Sequence, residues 1–247
     1  MSKCKECGSE LAEGVKFCGE CGAKVPQVEK AAAGIDWDSP FTMADFATPL
    51  TDEQAEDVAF NLNRLTLSAD PNRVVLSDSS AFKEKIREFT KVYLYRLGDA
   101  ANREAIRDLM ADPIGFVDFG ETGLGKRGTL FARKGIFYVT KEYPKIVDGE
   151  PVGGFVPWKV FYKFGKPRNE KCYCLVSWND VLNSSDVGDD VKENLGEAEK
   201  DLVSKFFFIN TGLSKEDVEE CMKEIKAGLI GDESEPAEAD FEEEDEE

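Results

Sequence analysis

Gly128-Thr129-Leu130-Phe131-Ala132-Arg133-Lys134-Gly135-Ile136-Phe137-Tyr138 is the stretch that decides the fold. Two short runs of β-branched and aromatic residues, Thr129 to Arg133 and Ile136 to Thr140, flank Lys134-Gly135, which fits a tight hairpin. Gly115 to Phe119 is a third run of the same texture. Trp158 to Phe164 and Cys172 to Trp178 are further strand candidates, the latter leading into Asn179-Asp180-Val181-Leu182. Short apolar strands separated by glycine turns predict an antiparallel sheet.

Working outward, the flanks read as helices. Thr51-Asp52-Glu53-Gln54 is a capping-box pattern ahead of Ala55, Val58, Ala59 and Leu62, which share one face at helical spacing. Phe82, Ile86, Phe89 and Tyr93 form a second stripe, with Gly98 placed to stop the helix. A third short helix is expected from Ala100 to Met110, before Asp112-Pro113 breaks the pattern. Downstream, one helix is expected within Asp190 to Phe207. A last one starts at the Ser214-Lys215-Glu216-Asp217 capping box, with Val218, Cys221, Met222 and Ile225 facing inward. The fold class is α+β. The expected organisation is a cysteine module at 1–25, a linker at 26–50, a helical region at 51–111, and a sheet with C-terminal helices at 112–230. A disordered acidic tail at 231–247 completes it.

The Gly128 to Tyr138 hairpin, followed by Trp178-Asn179-Asp180-Val181 as a strand end, resembles bacterial pleckstrin-homology-like domains. That resemblance implies an early hairpin in a curved sheet and a closing helix, over roughly residues 110–228.

The N-terminus carries a different signal. Cys4-Lys5-Glu6-Cys7-Gly8 and Cys18-Gly19-Glu20-Cys21-Gly22 are two C-x-x-C-G pairs. A two-residue gap lets both thiolates of a pair turn onto one metal ion, and two pairs complete a tetrahedral S₄ shell. Gly8 and Gly22 follow the second cysteine of each pair, where a knuckle needs a residue tolerant of positive φ. One zinc ion is the expected occupant. Iron in a rubredoxin-like site is the competing one, and ligand softness and geometry favour zinc. A module this short has no core of its own, so metal binding and folding are expected to be one event. These residues, with Phe17 just before Cys18, resemble the short zinc ribbons, a zinc-finger type, at the N-termini of many bacterial and archaeal proteins. The resemblance implies metal binding through Cys4, Cys7, Cys18 and Cys21.

Charge separates the possible partners. The chain has a net charge of −19, and eleven acidic residues with no basic ones lie between Asp232 and Glu247. That composition predicts a disordered tail. Between Lys126 and Lys171 the bias reverses, with eleven Lys/Arg against four Asp/Glu. Within residues 1–25, Lys3, Lys5, Lys16 and Lys24 cancel Glu6, Glu10, Glu13 and Glu20. Four thiolates and Zn²⁺ then leave about −2. A nucleic-acid reader needs a basic footprint, so a protein partner is expected for the module.

Other motifs resolve to plainer readings. Gly120-Glu121-Thr122-Gly123-Leu124-Gly125-Lys126-Arg127 fits G-x-x-x-x-G-K but places Arg127 where a P-loop needs a hydroxyl for Mg²⁺, and a strand follows instead of a helix. Cys172 and Cys174 are two apart on an expected strand and read as free thiols; Cys221 reads as core. Lys159, Phe161 and Lys163 alternate with Trp158, Val160 and Tyr162. With Lys126, Arg127, Lys166 and Arg168 they are an alternative anion-binding face for phospholipid headgroups or nucleic acid.

The absence of histidine removes Ser-His-Asp and Cys-His catalysis and histidine-ligated metals. An enzymatic alternative needs a carboxylate site among Asp118, Glu121 and Asp180. The chain opens on Met-Ser-Lys without an apolar leader and has no membrane-length apolar run, so a cytoplasmic protein with reduced thiols is expected. The function these features predict is a zinc-binding, non-enzymatic interaction or adaptor protein whose ribbon mediates protein contacts.

Overall fold

The computed structural model describes residues 2–3, 9–11, 34–97, 102–140, 146–147, 150–151, 153–168, 173–199, 203–208 and 210–230. Two units are distinguished, Met1–Ala33 and Gly34–Glu247. In the first, β1 (Ser2–Lys3) pairs antiparallel with β2 (Glu10–Leu11), Lys3 opposite Glu10.

The second unit is α+β. Its chain order begins with a 3₁₀ turn at Met43–Phe46, then α1 (Asp52–Thr66), β3 (Val74–Leu76), α2 (Phe82–Leu97) and α3 (Arg103–Leu109). The strands β4 (Pro113–Asp118), β5 (Gly128–Ala132) and β6 (Gly135–Val139) follow, then a small pair, β7 (Ile146–Val147) and β8 (Glu150–Pro151). After β9 (Gly153–Val156) come α4 (Trp158–Phe164), β10 (Lys166–Arg168), β11 (Tyr173–Ser177), α5 (Trp178–Leu182), α6 (Asp189–Glu199), β12 (Val203–Phe207) and α7 (Lys215–Ile230). The larger sheet is antiparallel in the order β3-β4-β5-β6-β9; a second has the order β10-β11-β12.

Both faces of the five-stranded sheet are covered, which is why its strands read as apolar runs with little polar alternation. Val117, Phe131, Ile136, Tyr138 and Val156 face a core shared with α1, α4 and α7. Phe116, Leu130, Ala132, Phe137 and Val139 face a second core under α2 and α3. A register shift between Pro113 and Gly115 turns Ile114 onto the face of Val117, although plain alternation puts it with Phe116. In the second core Phe89 meets Phe116 edge-on at 5.1 Å, and Tyr93 meets Phe137 at 5.5 Å. Each fully buried phenylalanine contributes about 1.5–3 kcal/mol from burial alone.

The expected helices over Ala55–Leu62, Phe82–Tyr93 and Ala100–Met110 correspond to α1, α2 and α3. The Thr51 box forms as read, with Gln54 N donating to Thr51 Oγ1 and Thr51 N donating to Gln54 Oε1. The β5–β6 hairpin pairs Ala132 with Gly135, whose φ of +154° suits glycine alone. The Ser214 box opens α7, its hydroxyl accepting from Asp217 N at 3.0 Å.

Four expectations are corrected. Trp158 to Phe164 is the helix α4, not a strand: Pro157 presets its entry, and Trp158 Nε1 donates to Ala132 O at 2.9 Å inside the core. The helix expected within Asp190 to Phe207 forms as α6, and the same stretch ends in an unread strand, β12, whose Val203 to Phe207 run pairs with β11 from Ser177↔Val203 to Tyr173↔Phe207. Strand β11 ends at Ser177, and Trp178 to Val181 lies in α5 with Ser177 as its cap. Within the stretch expected to be linker, Ile35, Phe41 and Leu50 are buried; Phe41 N donates to Asp186 O and Leu50 N to Arg133 O. Those apolar side chains anchor residues 34–50 to the second unit. The expected helical region likewise supplies an edge strand, β3, to the sheet.

Candidate metal centre and buried charge clusters

Cys4 and Cys7 fall in sequence between β1 and β2, and Cys18 and Cys21 follow β2. All four lie outside the described residues. Their chemistry fits zinc: four soft thiolate donors, two C-x-x-C pairs, and a glycine after each pair. Among the described residues no group of three or more His, Cys, Asp or Glu is placed to hold a metal.

The glycine-rich loop after β4 is organised around a carboxylate. Asp118, fully buried, accepts from Lys85 Nζ at 2.7 Å, Gly125 N at 2.8 Å and Gly120 N at 3.0 Å, with Arg73 Nη1 3.8 Å away. Lys85 also donates to Gly123 O, and Arg73 to Gly120 O. The loop packs directly on α2; a Cβ on Gly125, whose φ is +78°, meets Lys85 O at 2.5 Å. Two of its backbone N–H groups thus point at the protein's own carboxylate rather than outward at a phosphate. This removes the nucleotide reading on geometry, in agreement with the misplaced Arg127.

A second cluster joins α4 to the segment before α1. Lys159, fully buried, donates to Ser39 Oγ at 2.8 Å and Pro40 O at 3.1 Å and sits 3.5 Å from Asp45 Oδ2. Asp45 accepts from Thr42 N and Thr42 Oγ1, and Lys163 donates to Ser39 O at 3.0 Å. The alternating basic face expected at Lys159, Phe161 and Lys163 does not exist. In the helix Trp158, Lys159, Val160 and Phe161 are all buried, and the ammonium groups of both lysines are held by acceptors of residues 39–45. Lys166 pairs with Asp180 at 3.2 Å on the surface.

The three carboxylates of the enzymatic alternative stand in different surroundings. Asp118 is locked to Lys85, the Glu121 side chain is exposed, and Asp180 belongs to the exposed Lys166 pair. Cys174 is buried beside Lys226, and burial pushes its thiol up to about 12. Burial pushes Cys221 to about 12 as well, and its thiol donates to Asn61 O at 3.5 Å. Lys226 donates to Tyr162 O and Gly165 O at the end of α4 and lies 5.2 Å over the Phe161 ring; burial pulls its ammonium below the usual range. Cys172 lies outside the described residues. Sequence reading singled out Asp118 and Lys159 but neither Lys85 nor Asp45. A lysine inside the Phe82–Tyr93 stripe, at position 85, was the available signal.

No helix among the described residues is long and apolar enough to cross a membrane. No curated protein and no solved structure matches the chain, so the pleckstrin-homology-like resemblance draws no support from them. Residues 3–25, which contain Cys4, Cys7, Cys18 and Cys21, match the family of the zinc-ribbon domain.

Proposed function

We propose that this chain is a zinc-binding, non-enzymatic interaction protein whose ribbon makes contacts with another protein. One observation carries the reading: the zinc-ribbon match at residues 3–25 holds a complete S₄ donor set within a unit separate from Gly34–Glu247. The ribbon's balanced side chains and a metal centre of about −2 favour a protein surface over a polyanion. In the second unit, Lys85, Asp118, Lys159 and Asp45 are engaged in tying loops and helices together, which supports a scaffold role.

The test compares intact protein with a C4S/C7S variant. Metal analysis is expected to give one zinc per intact chain and none in the variant. Crosslinking in cells of the source organism, followed by mass spectrometry, is expected to show a protein partner joined to Lys3, Lys5, Lys16 or Lys24 that disappears in the variant. A zinc content of zero in the intact chain overturns the metal reading. Partners that all survive loss of the metal overturn the contact role.

A further inference from the structure

The surface over α2 and α3 carries an arrangement that the fold does not need. Arg87 and Lys91 stand one turn apart on α2, and Arg103 and Arg107 one turn apart on α3. Each is a like-charge i,i+4 pair, which costs a helix about 0.2–0.5 kcal/mol. The two pairs line the same groove of about 480 Å³, with Ile86 and the buried Leu94 contributing apolar surface. Glu88 pairs with Arg87 at 3.3 Å and with Lys91 at 2.8 Å. Arg103 and Arg107, both exposed, have no carboxylate partner among the described residues. An apolar floor rimmed by four cations, with Glu88 the one carboxylate ion-paired to them among the described residues, suits an acidic ligand that also carries a hydrophobic anchor.

That chemistry is written at the other end of this chain. Asp232 to Glu247 contains eleven acidic residues and no basic ones, and its one aromatic residue is embedded in Ala239-Asp240-Phe241-Glu242-Glu243-Glu244. The segment starts from a suitable place. Near the end of α7, Leu229 O accepts from Gln54 Nε2 on α1, and Asp52 on the same turn pairs with Arg133. Next to it, Lys134 donates to Asp108 O on α3, one residue from Arg107. The eleven residue-to-residue steps from Ile230 to Phe241 reach about 36–40 Å when extended, enough to follow that path of direct contacts.

We propose that the acidic C-terminal segment docks intramolecularly in the α2/α3 groove. Phe241 rests on Ile86 and Leu94, and the flanking carboxylates neutralise Arg103, Arg107 and their α2 counterparts. The groove is then a self-occupied anion site, and an acidic partner reaches it only by displacing the tail. The inference is independent of the zinc reading, since it uses no residue of the ribbon.

The test uses the full chain with p-benzoyl-phenylalanine in place of Phe241. On irradiation, crosslinks are expected at monomer mass within residues 82–109, to be unaffected by dilution, and to be lost as salt rises from about 0.05 to 1 M. R103E/R107E is expected to abolish them, whereas K215E/K223E, which reverses charge on α7 outside the groove, leaves them intact. If R103E/R107E does not fold, E242Q/E243Q/E244Q serves instead, because it alters only the tail and is expected to lower the yield several-fold. Crosslinks that map elsewhere, form only between two chains, or persist through charge reversal and high salt overturn the proposal. So does a groove that remains open to oligonucleotides or anionic vesicles equally well with and without the tail charges.

Discussion

Two buried lysines hold this protein together in opposite ways. At Asp118 the carboxylate is the hub: it is wholly buried and gathers Lys85, two backbone N–H groups and the nearby Arg73 around itself. At Lys159 the ammonium is the hub, distributing its donors to Ser39 Oγ, Pro40 O and, more distantly at 3.5 Å, Asp45. The first hub folds a loop back onto the strand that precedes it. The second ties residues more than a hundred positions apart, joining α4 to the segment ahead of α1. A group's worth to stability is set by what is left unpaired when it goes, so the two hubs respond differently to truncation.

The largest effect is expected at Asp118. D118A leaves Lys85 buried without its counter-charge and strands two N–H groups, at a cost of about 3–5 kcal/mol in urea unfolding. K159M keeps most of the packing and leaves Asp45 its two bonds from Thr42, so the loss is about 1–3 kcal/mol. A K159M variant as damaging as D118A breaks the contrast between the hubs. D45N is smaller again, about 1 kcal/mol, because Lys159 keeps its two neutral acceptors; a cost near that of D118A makes Asp45 a true counter-ion. The last measurement reads no energy. With the Cys174 and Cys221 thiols pushed up to about 12 and buried, both stay protonated at pH 8 and unreactive to thiol reagents in the folded unit. Chelation is expected to release four reactive thiols, and denaturant two more. Reactivity of all seven before unfolding contradicts the burial of the last two.

What sequence made legible was local. The Thr51 and Ser214 boxes, the Phe82 stripe and the Lys134-Gly135 turn each depend on residues within one or two turns of chain, and each formed where read. Trp158 to Phe164 was misread because its Lys-aromatic alternation imitates a half-buried strand. The burial of Lys159 depends on acceptors at residues 39–45, which local pattern does not contain. Strand β12 escaped for a similar reason, as its register is set by β11 across the intervening helices. Of the buried charges, Asp118 was named as a candidate acid but its partner lies 33 residues earlier. The zinc-ribbon motif was legible from cysteine spacing alone, and the family match at residues 3–25 spans it, since a metal site of this kind is encoded in a stretch of about two dozen residues.

The sheet with two apolar faces leaves a problem of alignment. Sliding a strand by one residue normally exposes oil and buries charge, and that polarity error is what fixes pairing in a half-wet sheet. Here a slip of β4 exchanges one hydrocarbon face for another, Phe116 for Val117, with little polarity change to resist it. Asp118 is the one charged residue in the strands β3, β4, β5, β6 and β9, and its donors are fixed at a single spot. A slipped strand carries that carboxylate away from Lys85 and into one of the oily layers. On this view Asp118 acts as an index mark: it tells the folding chain which of several nearly equivalent pairings is the right one, much as a single buried polar residue sets alignment in a coiled coil.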